Sequence, residues 1–269
     1  MKVNELIKSG KLTDAKHQLL EWVKKNPSDH SNRYLLSIIL MFFGEWERAI
    51  KHLEIIAIQQ PEKKETLSLF NDLIQAEKKR ISVHLHQQSI SFLPEPPTCL
   101  KIYEQLIKAC QSNDLKTAEP LINKIYLKYD TITGTINETP FRGFFNTDTL
   151  QAFFIEAFVY NKYVCIPIEY VKELIITTPE TMIDLLWKSA RITTWNGIVM
   201  NCFLPVLYPE TYQHPNDEIK FGKMTDWISN HDIIYKGVGQ HVFAAQDQEY
   251  AILDIRKISF ERTCHDNIK

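Results

Sequence analysis

The sequence predicts an α+β protein in which helical repeats are followed by a small, mostly antiparallel β domain. Two observations carry this prediction. The first part of the chain repeats with a period of 34 residues, and after Asp130 the chain changes to short aromatic and β-branched runs separated by turn residues. We expect an all-α repeat domain over residues 1–130, a turn-rich linker over 131–149 and the β domain over 150–269.

The repeat is visible as two aligned copies. A spacing of 34 residues relates four pairs: Gly10 and Gly44, Ala15 and Ala49, Leu19 and Leu53, and Pro27 and Pro61. This is the period of the tetratricopeptide repeat, in which two antiparallel helices are joined by a tight turn. Glycine permits the turn, alanine lets the helices approach, and proline ends the second helix. We therefore expect a tetratricopeptide-like fold for the first part of the chain.

The remaining helical region is less regular. A degenerate third copy begins at Asn113 and Ala118, although Pro120 falls inside its second helix and weakens the match. Between the copies, residues 65–85 form one further predicted helix. The proline-rich segment 92–97 predicts a stiff, non-helical connector.

The β region contains three predicted hairpins, one of them marked by the turn dipeptide Asn196-Gly197. The paired runs are residues 153–159 with 163–168, 191–194 with 198–204, and 241–245 with 250–255. Two short helices are also expected, at residues 168–174 and 179–185.

Composition excludes several classes of protein. The 269 residues are 44% hydrophobic and 24% charged with a net charge of −2, so no basic excess indicates a nucleic-acid partner. The most apolar run, residues 34–43, is half of the roughly 20 residues that a membrane span needs. The N-terminus has no apolar signal segment, and the five widely spaced cysteines suggest no disulfide framework. We expect a cytoplasmic protein without a membrane partner.

No motif in the sequence predicts catalysis, a cofactor or a metal. Gly237-Val238-Gly239 lacks the rest of a phosphate-binding loop, the pair His84 and His86 lacks further ligands, and Cys264-His265-Asp266 lies in a terminal segment. Asp226, His231 and Asp232 lie close enough in sequence for acid–base work, but turn hydrogen bonds explain them equally well. An enzyme with an unrecognised site there stays open as an alternative.

A binding role has more support. Tyr34, Ile38, Met41 and Phe42 follow one face of the predicted first helix of the second repeat. This stripe is interpreted either as core alone or as core that continues into a groove for a partner helix. A generic repeat scaffold or co-chaperone is a further alternative, but Arg33 is the only cation that this helix offers for a carboxylate clamp.

The sequence resembles the ImpE/TagJ (SciE-type) family over nearly its whole length. The match rests on FGEWERA at residues 43–49, DLLWKSAR at 184–191, LPVLYP at 204–209, FGKMTDW at 221–227 and GVGQ at 237–240. The signature residues are Gly44, Trp46, Ala49, Trp187, Arg191, Tyr208, Gly222, Trp227, Gly237, Gly239 and Gln240. Residues 144–151 depart from the family pattern, and Ser189 and His241 stand where proline and arginine are usual.

The resemblance implies a non-enzymatic adaptor of bacterial type VI secretion. Members of the family are associated with the small subunit of the contractile sheath and with the ATPase that recycles the sheath. The resemblance supplies no catalytic residues. We expect the sheath subunit to contribute a short helical segment, and we place its contact at Tyr34, Ile38, Met41 and Phe42.

Overall fold

The structure is a computed structural model that describes residues 2–262. Within these residues the first part is helical, with seven α-helices before the first strand. They are α1 (Val3–Lys8), α2 (Leu12–Lys25), α3 (His30–Phe42), α4 (Trp46–Gln59), α5 (Lys64–His84), α6 (Leu100–Gln111) and α7 (Leu115–Tyr129). An eighth helix, α8 (Asp217–Lys220), lies among the strands. Together with the strands that follow, this confirms the predicted α+β class.

The repeat has the predicted helix–turn–helix form. Gly10 and Gly44 occupy the turns before α2 and α4 with φ angles of +76° and +68°, a region that favours glycine. Ala15 and Ala49 are fully buried where the paired helices approach. The helix predicted over residues 65–85 is α5. The third copy is the pair α6–α7, in which Asn113 takes the left-handed turn conformation with φ +55°.

As far as residue 262, the second part contains thirteen strands. They are β1 (Thr133–Ile136), β2 (Thr139–Arg142), β3 (Phe145–Asn146), β4 (Phe154–Val159), β5 (Lys162–Pro167), β6 (Val171–Ile176), β7 (Trp187–Thr194), β8 (Val199–Pro205), β9 (Thr225–Asn230), β10 (Ile234–Gly239), β11 (Val242–Ala245), β12 (Gln248–Ala251) and β13 (Lys257–Phe260). Eight form one sheet in the order β2-β1-β13-β6-β7-β8-β4-β5. The others form the ribbon β10-β9 and the sheet β12-β11-β3, and all strand pairs within the described residues are antiparallel.

The three predicted hairpins are present as β4–β5, β7–β8 and β11–β12. Other local predictions were wrong. Residues 131–149 are not merely turns, because they contain β1, β2 and β3, and β1 pairs with β13. Residues 168–174 form a short 3-10 turn and then enter β6, while only Met182–Leu185 of the second predicted helix is helical. The division of the chain into separate domains stays a prediction.

Helices and sheet share a continuous apolar core. The ring of Tyr103 on α6 lies 5.0 Å from that of Phe154 on β4, and Tyr126 on α7 lies 5.0 Å from Phe145 on β3. These edge-on aromatic contacts fix α6 and α7 against the β region. In the described part of the chain, none of the helices combines the length and hydrophobicity needed to cross a bilayer.

Candidate functional site

The predicted partner residues on α3 have different environments along the helix. Ile38, Met41 and Phe42 are only 3%, 0% and 1% exposed, whereas Tyr34 is half-buried. Phe42 packs edge-on against Phe221 from the β region at a ring distance of 5.2 Å. The four residues therefore do not form one exposed groove in this structure. Their contact with a partner stays a prediction, and only Tyr34 is open to one without rearrangement.

Tyr34 lies in an open groove of about 390 Å³, which we call the repeat groove. Its apolar wall is formed by Tyr34 with Ile56 on α4 and Leu67 on α5, and its lining is completed by His30, Ser31, Lys63 and Thr66. The lining therefore combines apolar side chains with polar groups that include one lysine. This arrangement suits the apolar face of a short helix with an acidic flank.

The opposite end of the second repeat is closed by the β region. A Cβ atom added to Gly44 would lie 2.3 Å from Cδ2 of Tyr212, so this turn has no space for a side chain. Trp46 stacks on Trp187 of β7 at 6.4 Å and meets Tyr212 edge-on at 6.3 Å. Three of the family-signature residues, Gly44, Trp46 and Trp187, thus join the repeat to the sheet.

A buried ionic cluster lies beside this contact. Arg80 on α5 is 1% exposed and donates to Glu156 on β4 through Nε (3.0 Å) and Nη2 (2.7 Å). Its Nη1 donates to Glu77 at 2.9 Å, and Trp187 Nε1 donates to the other oxygen of Glu77 at 3.0 Å. Arg80 Nη2 also donates to the Leu207 carbonyl at 2.9 Å. The two-oxygen contact with Glu156 fixes α5 relative to the sheet.

Further hydrogen bonds complete the environment of Glu156. Tyr163 donates its hydroxyl to Oε1 at 2.6 Å, His84 Nε2 lies 2.9 Å from the same oxygen, and His241 Nε2 lies 3.3 Å from Oε2. Burial alone would raise the pKa of Glu156, but Arg80 and its other partners hold that pKa well below its usual range. Glu156 is therefore a carboxylate at neutral pH.

The same surroundings determine whether Arg80 and His241 carry a charge at neutral pH. Burial opposes the charge of Arg80, but Glu156 and Glu77 outweigh it and keep the pKa of Arg80 above its ordinary value. Burial lowers the pKa of His241 to about 4 despite the attraction of Glu156, so this ring is neutral at pH 7. Its contact with Glu156 is then a neutral polar contact and not an ion pair. Arg80, Glu77 and Glu156 form a structural charge network in which one guanidinium contacts both carboxylates.

The remaining signature residues lie mostly in structural contacts. Tyr208 donates to Asn146 at 2.9 Å and accepts from the Val242 N–H at 3.1 Å, and a Cβ atom at Gly237 would lie 2.4 Å from the Tyr208 ring. Trp227 donates to Thr147 at 3.0 Å. These contacts hold the β10 strand and residues 146–147 around the tyrosine.

Gln240 connects two loops of the β region. Its Nε2 donates to the Gly222 carbonyl at 2.8 Å, and its Oε1 accepts from the Leu253 N–H at 3.0 Å. Gly222 and Gly239 have φ angles of +69° and +98°, which a side chain would strain. Arg191 differs from the other signature residues because it is exposed on β7.

The residues that the sequence offers as candidates for acid–base chemistry or phosphate binding lie in turns and strands. His231 and Asp232 form the β9–β10 turn with φ angles of +53° and +57°, and Asp232 bonds to Ser229. Asp226 accepts from the N–H of Trp227, and Gly237 and Gly239 belong to β10. Within residues 2–262 there is no group of His, Cys, Asp and Glu arranged to hold a metal ion. Residues 264–266 lie outside the described residues.

Sequence reasoning missed the ionic cluster because its members are far apart in the chain. Arg80 and Glu156 are separated by 76 residues. One signal was present, since Glu156 is a lone carboxylate within the apolar run 153–159 that predicts a buried strand. A buried carboxylate requires a partner, but the sequence alone does not identify Arg80 as that partner.

Comparisons with known proteins agree with the earlier resemblance. Residues 138–259 match the family model described as ImpE protein. The chain is 27% identical over 263 residues to the type VI secretion system accessory component TagJ of Pseudomonas aeruginosa, and the match covers 98% of this chain and 92% of that protein. A crystal structure of a Vibrio parahaemolyticus protein shares the fold, with a TM-score of 0.83 and 20% identity over 98% of this chain and 99% of that one.

Proposed function

We propose that the chain is a member of the ImpE/TagJ family and an accessory protein of a bacterial type VI secretion system, because residues 138–259 match the ImpE family model and the TagJ relative matches along almost the whole chain. It acts in the cytoplasm by binding and not by catalysis. Its main partner is the small subunit of the contractile sheath, and the ATPase that recycles the sheath is a second partner. The TagJ relative, matched along almost the whole chain, supports the assignment to secretion.

The repeat groove is the site that we assign to the sheath subunit. It is open, and it combines the half-buried ring of Tyr34 with Ile56 and Leu67. A short amphipathic helix places apolar side chains three or four residues apart, which matches a groove of this kind. The binding proposal rests on this open groove, because the other predicted partner residues on α3 are buried in the core.

Two further features favour a helix-binding adaptor. Lys63 in the groove lining favours a sheath segment with an acidic residue beside its apolar face. Arg33 does not offer a carboxylate clamp, because it is buried and donates to the Pro27 carbonyl at 2.8 Å. This weighs against the co-chaperone alternative.

The test is a calorimetric titration of the purified chain with the purified small sheath subunit. Thr66→Trp fills the repeat groove from its exposed wall, and we expect it to weaken binding at least about tenfold. Ser68→Trp is the matched control, because Ser68 is exposed on the same helix and does not line the groove. Equal affinity of the two variants would place the sheath contact elsewhere.

A pull-down from lysate tests the function as distinct from the site. A sheath subunit retained after a high-salt wash supports the adaptor and an apolar contact, because salt screens mainly exposed ionic contacts. Capture of many unrelated clients and no sheath subunit would instead favour a general scaffold.

A further inference from the structure

A second concave site lies at the C-terminal end of α5, whereas the repeat groove lies at its N-terminal end. It is a cavity of about 480 Å³ between the end of α5, residues 86–92, α6 and the strands β4 and β5, and we call it the α5–α6 cavity. This volume is in the range of small-molecule sites. Neither the family resemblance nor the proposed adaptor function uses it.

The walls of the α5–α6 cavity are apolar and rich in aromatic rings. Phe92, Tyr103 and Phe154 lie close together, with ring distances of 5.5 Å between Phe92 and Phe154 and 5.0 Å between Tyr103 and Phe154. The aliphatic part of the lining comes from Val83, Ile90, Leu100, Ile107 and Leu150. Such walls hold the apolar body of a ligand, and the faces of aromatic rings attract cations.

The polar part of the lining carries negative charge. Two carboxylates line the cavity: Glu156 at its buried end, whose charge is paired with Arg80, and the exposed Glu104 on α6, which supplies the unpaired negative charge. Among the described residues no lysine or arginine lines the cavity. Lys79 is not a lining residue, and it donates a hydrogen bond to the side chain of Gln88 at the rim of the cavity. Burial, with His84 nearby, lowers the pKa of His86, so that ring is neutral at pH 7. This distribution disfavours an anion and favours a cation.

One buried polar group in the lining has no partner. Gln151 is 3% exposed and lines the α5–α6 cavity, and its Oε1 has no hydrogen-bond partner among residues 2–262. Its neighbour Glu156, in contrast, is fully engaged by Arg80, His84 and Tyr163. A buried amide oxygen without a partner is uncommon, and a ligand that donates an N–H to this oxygen satisfies it.

We propose that the α5–α6 cavity binds a small amphipathic amine, a molecule with an apolar body and a protonated amino group. The apolar body lies against Phe92, Tyr103 and Phe154. The amino group donates to the Gln151 carboxamide and is attracted by the carboxylate of Glu104. The ionic cluster behind Glu156 keeps the buried end of the cavity in place.

The test compares two probes of similar shape and opposite charge, phenethylamine and 3-phenylpropionate, with calorimetry and amide NMR shifts on the full chain. We expect phenethylamine to bind saturably with a Kd of about 1 mM or tighter. Its shifts should centre on residues 83–92, 100–107 and 150–156, and phenylpropionate should bind at least about tenfold more weakly. Equal binding of both probes, or no saturation with phenethylamine, would overturn the proposal.

Variants of the lining residues distinguish a loss of ligand binding from a loss of the folded structure. Glu104→Gln should weaken phenethylamine about three- to tenfold, whereas Glu119→Gln, an exposed carboxylate on α7, should leave the affinity unchanged. Gln151→Leu should lower affinity and raise the unfolding midpoint of the free protein, because it removes the unpartnered amide. Ser89→Trp at the rim should abolish the shifts, and shifts that persist in this folded variant would contradict the proposed place.

Discussion

The two ends of α3 belong to one helix but have different surroundings. At its C-terminal end, Met41 and Phe42 are enclosed by the β region, and the following turn at Gly44 has Tyr212 against it. At its N-terminal end, Ser31 and Tyr34 line the open repeat groove. The closed end joins the two parts of the molecule, and the open end is available to a partner.

This difference shows what an apolar stripe can and cannot indicate. The spacing of apolar residues along α3 correctly identifies the buried face of the helix. It does not show which part of that face is covered by the same chain, because the covering residues, Phe221 and Tyr212, come from much later in the sequence. The closed and the open regions should therefore respond differently to substitution.

The largest effect is expected from Arg80→Met at the closed junction. The variant leaves Glu77 and Glu156 buried without their cation, so we expect the free energy of unfolding to fall by about 3–5 kcal/mol in urea titrations. The same replacement at Arg48, a half-exposed partner of Glu45, should cost no more than about 1 kcal/mol. Similar losses for both variants would show that the junction does not depend on the buried charges.

The second prediction compares the two ends of α3 directly. Phe42→Ala removes a fully buried ring and should lower the free energy of unfolding by about 3–5 kcal/mol. Tyr34→Ala removes a half-buried ring, so its cost should be smaller, about 1–2 kcal/mol, while its effect on sheath binding should be larger. Urea unfolding and calorimetric binding measure the two effects. If Phe42→Ala were stable but unable to bind the sheath subunit, the closed end would be the partner site.

A third prediction concerns pH. The pKa of His241 falls from 6.5 to about 4 in the folded chain, so the unfolded state binds more protons between these values. Stability is therefore lost as pH falls from about 6.5 to about 4, by at most about 3 kcal/mol from this residue. His52 and His86, whose pKa values burial also lowers, contribute with the same sign.

The measurement is the free energy of unfolding of the wild type and His241→Gln between pH 4 and 7. The variant should show a shallower loss of stability than the wild type over this interval. Identical pH profiles would mean that His241 is not neutral and enclosed as the structure describes. The lowered pKa of Glu156 adds a loss at still lower pH, and that part should persist in the variant.

The smallest effect is a difference between two glycine variants. Gly44→Ala and Gly197→Ala both place a side chain at a positive φ, +68° and +86°, which costs about 1–2 kcal/mol. At Gly197 a Cβ atom meets nothing within 4 Å, whereas at Gly44 it meets the Tyr212 ring. We therefore expect Gly44→Ala to be less stable by a further 1–3 kcal/mol or so in thermal unfolding. Equal costs would show that Tyr212 moves aside freely.

The sequence predicted the features that depend on near neighbours. The 34-residue spacing located the turns at Gly10 and Gly44, and Asn196-Gly197 located the β7–β8 hairpin. It missed β1, because this strand pairs with β13, with Gly134 opposite Phe260. It mistook the start of β6 for a helix, because Leu174 is held extended by Ile192 and Ile258 on its two sides.

The candidate sites, too, were predictable only where they depend on residues that are near neighbours in the sequence. Helical periodicity predicts Tyr34 as a partner contact, and Tyr34 lines the repeat groove, but its contact with a partner stays a prediction. The α5–α6 cavity was not identified, because Tyr103, Gln151 and Tyr163 meet only when α6 packs against β4 and β5. Contacts across such separations depend on tertiary packing, which local patterns do not encode.

The position of β13 has a consequence for the order in which the chain becomes folded during synthesis. Among the strands of residues 2–262, this one is the last to leave the ribosome, yet it lies between β1 and β6 and connects two parts of the main sheet. The helical repeats, whose contacts are local, can form early, whereas β1 and β6 each keep an unpaired edge until residues 257–260 emerge. During that interval these edges can pair with other nascent chains, so a chaperone that covers exposed strands should raise the yield of folded protein.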